Sequence, residues 1–208
     1  MKINQDLIVF DLEATVSYTP QGIQQHNNII QIGAVYLKKD ESDSYQIIDR
    51  FDTLVKPEGE EISPFITELT GISNEQVEHA PLFKQAGESF REWAIKQGNI
   101  KRTRLCAWGT HFDLPLLRRG YERSGMDYPF PGGGYDIKSW AVLWMMLNDR
   151  TEKMGIQEAG KVMGIPFEGR LHNAMADAEY TALITLKILS DLKDHYHPLP
   201  INSGSGTT

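Results

Sequence analysis

The apolar and polar positions divide the chain into an extended first third and a remainder dominated by helical spacing. Leu7-Ile8-Val9-Phe10 is a continuous apolar run that passes into Asp11-Leu12-Glu13-Ala14-Thr15, and it reads as a first strand. Val16 to Asn28 is polar, holds Pro20 and Gly22, and reads as a loop. Ile29-Ile30-Gln31-Ile32-Gly33-Ala34-Val35-Tyr36-Leu37 is a second strand, apolar on both faces. Asp40-Glu41-Ser42-Asp43-Ser44 is a turn cluster, and Tyr45 to Val55, mixed in polarity, reads as a third strand on a partly exposed edge. These three make an antiparallel meander that Pro57 ends.

Helical spacing takes over beyond this point. Pro64 to Leu69 forms a short helical piece closed by Gly71, and a longer helix starts around Pro81 with Leu82, Phe83, Ala86, Phe90, Trp93 and Ala94 on one face, ending at Gly98. Lys101 to Arg104 is basic and solvated. Leu105 to Trp108 is a short buried strand that turns through Gly109 into a helix from Phe112 to Ser124. Tyr128 to Gly134, with two prolines and three consecutive glycines, is a loop. Tyr135 to Ile137 is a fifth extended piece, and Ser139 is placed to cap a helix from Trp140 to Leu147. Gln157 to Met163 is another short helix. Asn173 caps a final long one with a stripe at Met175, Ala178, Ala182, Thr185, Leu189 and Leu192. A meander followed by strands alternating with helices implies an α/β fold, a mixed sheet with helices on both faces. The domain is expected over residues 1–195, with a Pro- and Gly-containing flexible tail over 196–208.

Composition narrows the classes. With 208 residues, 40% hydrophobic and 24% charged, the chain has the composition of a soluble globular domain, and no apolar run reaches the eighteen or so residues of a membrane span. The single cysteine, Cys106, allows neither an internal disulfide nor a thiolate metal site, and a reducing cytoplasm fits. The net charge of −7 argues against a high-affinity, sequence-reading nucleic-acid binder. It leaves open an enzyme that meets phosphates through bound metal.

The first strand carries the candidate chemistry. Side chains alternate faces with period two, so Asp11 and Glu13 point the same way at the end of an apolar run. Two poorly solvated like charges stay ionised only beside something positive, and a divalent cation with oxygen ligands is the simplest choice. Asp113, at the start of a helix, and Asp177, one turn into the last, are further acidic candidates, with His172 five residues before Asp177. Taken singly, each Asp has an ordinary reading as a dipole-compensating residue of a first helical turn, and the His as a solvated loop residue. At about 100° per residue, His172 and Asp177 would not share a helix face, which puts His172 in the loop before the Asn173 cap.

Taken together, Asp11-Leu12-Glu13-Ala14-Thr15, Trp108-Gly109-Thr110-His111-Phe112-Asp113 and His172-Asn173-Ala174-Met175-Ala176-Asp177 resemble the three motifs of the DEDDh exonuclease superfamily, DxE, a central Asp at a helix start, and HxxxxD. The resemblance covers roughly Leu7 to Leu192, and Ile29 to Val35 is similar to the family's second strand. Ala14-Thr15-Val16 departs from the Thr-Thr-Gly-like sequence of polymerase-proofreading members. Trp108-Gly109 and Pro166-Phe167-Glu168-Gly169-Arg170 resemble the branch that trims histone mRNA ends and small interfering RNAs. In bacteria that pattern is similar to an exonuclease described as inhibiting a sporulation-kinase pathway.

The resemblance implies a ribonuclease H-like mixed five-stranded sheet and removal of nucleotides from the 3′ end of single-stranded nucleic acid, RNA favoured. It implies two Mg²⁺ or Mn²⁺ ions held by Asp11, Glu13, Asp113 and Asp177, with Asp11 bridging, and His172 as the base that takes the water's proton. His111 is a competing base. Leu12, Ala14 and Thr15 would line the terminal nucleotide's pocket, with Phe65 or Thr70-Gly71-Ile72 as an opposite wall for which core packing is the alternative. Arg118, Arg119 and Arg123 either meet phosphates or form a solvated helix face. A different class, a regulatory protein that keeps the fold to contact a signalling partner, remains the rival expectation.

Overall fold

The computed structural model describes residues 5–18, 24–151 and 155–195. Five strands, β1 (Asp6–Tyr18), β2 (Gln24–Lys39), β3 (Tyr45–Leu54), β4 (Thr103–Ala107) and β5 (Tyr135–Asp136), form one sheet in the order β3-β2-β1-β4-β5. β1 to β3 are antiparallel neighbours, whereas β4 pairs parallel with both β1 and β5. The expected α/β mixed sheet with an antiparallel meander is the architecture found, and β3 is the edge strand, its residues alternating between exposed and half-buried.

Strand alternation sorts the core. Ile8, Phe10 and Leu12 point to one face, beneath α3 (Phe83–Gln97) and α4 (Thr110–Arg123), where Phe90, Leu117 and Tyr121 are fully buried. Leu7 and Val9 point to the other, beneath α5 (Ile137–Leu147), α6 (Ile156–Val162) and α7 (Ala174–His195). Complete burial of such side chains is worth about 1.5–3 kcal/mol each, so a sheet covered on both faces holds its central strand firmly even where that strand ends in charge. A smaller cluster of Ile30, Ile62, Ile66, Ile72 and Val77 seats α1 (Pro64–Thr70) and α2 (Asn74–Val77).

Several boundaries move from their expected places. The stretch read as a loop from Val16 to Asn28 is in part a continuation of the hairpin: Val16 pairs with His26, Ser17 with Gln25 and Tyr18 with Gln24. Register shifts between Glu13 and Val16 set this arm off from the sheet. The third helix begins at Phe83, since Lys56 N–H donates to the Pro81 carbonyl and Lys56 bridges to Leu82, holding that pair extended. Thr103 and Arg104, expected to be solvated, open β4, with Thr103 only 2% exposed. Asp136, not Ser139, caps α5: its carboxylate accepts from the Ser139 N–H, and the helix starts at Ile137. Residues 196–208, where a tail is expected, lie outside the described residues. Among the described residues no helix is long and apolar enough to cross a membrane.

The approach of α7 to the sheet positions the site. Its Ala174, Ala178 and Ala182 are fully buried, and small side chains at that spacing let a helix lie close to strands. β2 yields in turn at Gly33, where an added Cβ would stand 2.2 Å from the Ala174 carbonyl carbon. Gly33 pairs with Asp11, so this close contact is beside the first carboxylate. Gly33→Ala is expected to destabilise the fold by about 1–3 kcal/mol, the usual cost of overpacking, measured by urea unfolding.

Candidate active site

Three elements deliver the four acidic side chains, β1 two of them and α4 and α7 one each. β1 and β4 run parallel, and ligand sites in such sheets form beyond the carboxyl ends of the strands. Asp11 and Glu13 continue the Leu7 and Val9 face toward that end of β1, and Glu13 is 8% exposed. β4 ends at Ala107, the chain turns at Gly109 with φ +91, and α4 brings Asp113 in its first turn back against β1. There the Asp113 carboxylate, 4% exposed, accepts from the Leu12 N–H at 3.1 Å. Asp177 comes from the first turn of α7, whose start is capped by Asn173: its side chain accepts from Ala176 N–H and its carbonyl from Asp177 N–H.

His172 precedes that cap in a left-handed conformation, φ +56, which L side chains adopt at some cost. Its N–H donates to Asp177 Oδ2 at 3.0 Å, pinning the loop to the helix. Glu13, His172 and Asp177 each offer a ligand atom, all within 4.8 Å of one another. His172 is exposed, as expected for a loop residue above the site, and His111 is exposed in the first turn of α4.

The electrostatics are those of an uncompensated negative cluster. Burial, then Asp113, Glu13 and Asp177, hold the Asp11 carboxyl well above the usual range. Burial, then Asp177 and Asp113, push Glu13 up to about 8. Burial raises Asp113 to about 7 against the hydrogen bond from Leu12, and burial raises Asp177 against the bond from His172. Asp177 Oδ1 is buried without a hydrogen-bond partner. A buried acceptor without a donor, beside carboxylates whose proton affinities are raised by burial and, at Asp11 and Glu13, also by their neighbours' charge, suits a hard divalent cation with oxygen ligands. The donor set fits Mg²⁺ or Mn²⁺. Cys106 is buried in the core, burial pushing its thiol up, so it offers no soft ligand.

A pH signature follows. In metal-free protein, Glu13 and Asp113 keep protons at pH values where the unfolded chain has released them. Their contribution is therefore full below the ordinary carboxylate range and is lost as pH rises through about 7 to 8. A cation that binds the ionised cluster reverses the trend. Mn²⁺ should raise the melting temperature more at pH 8 than at pH 5.5. An equal or smaller rise at pH 8, read by circular dichroism, would count against the cluster as the binding site.

The remaining candidates separate by exposure. Leu12 and Ala14 are buried side chains at 2% and 6%, so a ligand would meet their backbone edge. Thr15 is 2% exposed, and its hydroxyl donates to Glu60 Oε1 at 2.5 Å and accepts from Asn28 N–H. Phe65, on α1, is 58% exposed, whereas Thr70 and Ile72 pack inward. Arg118 and Arg123 are exposed on α4, with the Arg118 guanidinium 4.3 Å above the Tyr128 ring, and Arg119 is half-buried. Two residues the sequence did not single out shape the site from β2: Gly33, and Gln31, which meets the start of α7. In the sequence they are one polar residue and one glycine inside an apolar strand, which does not reveal a helix arriving 143 residues after Gln31.

Known proteins resemble this chain in sequence and in fold. The DNA polymerase III PolC-type of Staphylococcus haemolyticus (strain JCSC1435) is 29% identical over 188 residues, which span 90% of this chain and 12% of the polymerase. The chain thus covers a small part of the curated relatives it matches, and these are polymerases, the group that Ala14-Thr15-Val16 set apart. By structure, the chain superimposes on the nuclease domain of 3′hExo, a DEDDh family member bound to rAMP, with a TM-score of 0.75 and 23% identity over 90% of this chain and 92% of that one. Escherichia coli Exonuclease I in complex with a dT13 oligonucleotide gives a TM-score of 0.70 and 15% identity over 92% of this chain and 42% of that one. The ribonuclease H-like fold expected from the motifs is the fold of these nucleases. The exonuclease family RNase_T matches residues 8–185, and the chain belongs to it.

Proposed function

We propose that this chain is a divalent-metal-dependent 3′→5′ exonuclease that releases nucleoside 5′-monophosphates from single-stranded nucleic acid, with RNA favoured. The observation that carries the reading is the cluster of half-buried Asp11 with buried Glu13, Asp113 and Asp177, with His172 exposed beside Glu13 and Asp177 and with Asp177 Oδ1 buried without a hydrogen-bond partner. Asp11, Glu13, Asp113 and Asp177 would hold two Mg²⁺ or Mn²⁺ ions, which when bound make water acidic near neutrality and relieve charge on the leaving oxygen. His172 takes the proton of the attacking water at a ring nitrogen. Asp177 Oδ2 fixes the His172 backbone while its other oxygen is buried without a hydrogen-bond partner. Asp113, anchored by Leu12 N–H, keeps α4 against the strand that carries the first two carboxylates.

Phe65 presents an exposed ring on which a terminal base could stack, a contact that tolerates any base. The backbone of Leu12 and Ala14 would form the other wall of the terminal nucleotide's pocket. The named ligands of the structural relatives, rAMP and dT13, include both sugars and motivate testing both. In the test, 5′-labelled RNA and DNA oligomers are incubated with the protein and Mn²⁺. Ladders shortened from the 3′ end, suppressed by EDTA and shorter sooner for RNA, are expected. Intact oligomers alongside calorimetrically bound Mn²⁺ would replace this reading with that of a regulatory protein on an exonuclease fold.

A further inference from the structure

The geometry points to Gln31 as a positioning residue that, braced by Asp52, sets the height of α7 over β1 and thereby the spacing of Asp177 and Glu13. The inference rests on the reading of those carboxylates as metal ligands. Gln31 is 3% exposed, and a buried amide needs both a donor and an acceptor among its neighbours. It has both. Its Nε2 donates to Asp52 Oδ1 on β3 at 2.8 Å, and its Oε1 accepts from the Ala174 N–H at 3.0 Å. Ala174 is the first residue of α7, and an N–H there has no partner within its own helix.

Three ties therefore hold the start of α7, and they divide the work. Asn173 serves Ala176 N–H from within the chain, and Asp177 serves His172 N–H. Of these three, only the Gln31 tie reaches the sheet; further along α7, Glu179 accepts from Arg50 of β3. Gln31 pairs with Glu13 across β1 and β2, and Gly33, two residues on, pairs with Asp11. The same two β2 residues thus sit opposite the two β1 carboxylates and beneath the α7 backbone: Gly33 removes bulk so that the helix can descend, and Gln31 stops it at hydrogen-bond length. Glutamine suits the place through its reach and its two-sided amide. A glutamate would set a charge against Asp52, and a hydrocarbon would leave the Ala174 N–H and the height of the helix unfixed.

The test reads Mn²⁺ alone binding to the intact chain, by titration calorimetry on protein shown to be folded by circular dichroism. Gln31→Met, close in length but without hydrogen bonds, is expected to weaken Mn²⁺ binding toward the upper end of the roughly 10–100-fold range typical when support for a metal ligand is lost. Asp52→Ala changes an exposed residue on the edge strand, keeps the Ala174 bond available and should cost about tenfold. A purely structural role would lower the melting temperature and leave the affinity of folded protein at the wild-type value. That result in Gln31→Met, or in Asp52→Ala if Gln31→Met does not fold, overturns the inference. Absence of nuclease activity in a wild type that binds Mn²⁺ would instead overturn the proposed function.

Discussion

Asp177→Asn is expected to slow 3′ shortening by roughly 10³-fold and at the same time to make the metal-free protein more stable. The first effect follows from removing one anionic ligand: several kcal/mol of charge stabilisation is at stake in such sites, and about 4 kcal/mol corresponds to three decades in rate. The second comes from the cluster's own repulsion. Asp177 raises the proton affinity of both Asp11 and Glu13, and burial raises its own. An amide keeps an oxygen to accept from His172 N–H, and it puts an NH₂ in place of the buried Oδ1 that has no donor. A gain of about 1 kcal/mol would raise the melting temperature by about 2–4 °C in a domain of this size. The Mn²⁺-induced rise should fall at the same time. Lost activity with a lowered melting temperature would mean that Asp177 is held by contacts of its own and not strained for binding.

That opposition between stability and chemistry explains why the site was readable. A run of Leu7, Ile8, Val9 and Phe10 that passes into Asp11 and Glu13 breaks the rule that buried strands avoid charge, and breaches of local rules concentrate at functional sites. Period-two alternation fixes the common face of the two carboxylates, and the structure continues the Leu7 and Val9 face through them. Asn173 was legible as a cap since capping is local, two or three residues in reach. Asp136 was overlooked in favour of Ser139 for the same reason: both are cap-forming types three residues apart, and the bond runs from one to the other.

What stayed hidden depends on partners distant in sequence. The hairpin beyond Val16 is held by backbone pairing, which places no demand on side-chain pattern. Pro81 looked like a helix start until Lys56, 25 residues earlier, claimed its carbonyl. Gln31 reads as one polar residue inside an apolar strand, and its two partners lie on β3 and α7. Thr15, expected at a substrate pocket, has a buried hydroxyl bonded to Glu60 and Asn28, partners that its place in the strand does not announce.

His172→Ala is expected to cost roughly 10²–10⁴-fold in rate, the range for a positioned general base, and to leave Mn²⁺ affinity close to that of the wild type. The second half matters as much as the first. A His172 ring nitrogen lies within 4.8 Å of ligand atoms of Glu13 and Asp177, near enough for the imidazole to serve as a ligand as well as a base. If it is a base, rate falls and affinity does not. If it is a ligand, both fall together. His111→Ala should remain near wild type in both measurements, and a loss of rate there with His172→Ala unaffected would transfer the role to His111. Backbone conformation supplies an independent check. His172 sits at φ +56, where glycine carries no Cβ penalty. His172→Gly should therefore be as slow as His172→Ala yet unfold at a higher temperature. The wild-type imidazole is kept at a position whose backbone favours its absence, which is the pattern expected of a residue retained for chemistry.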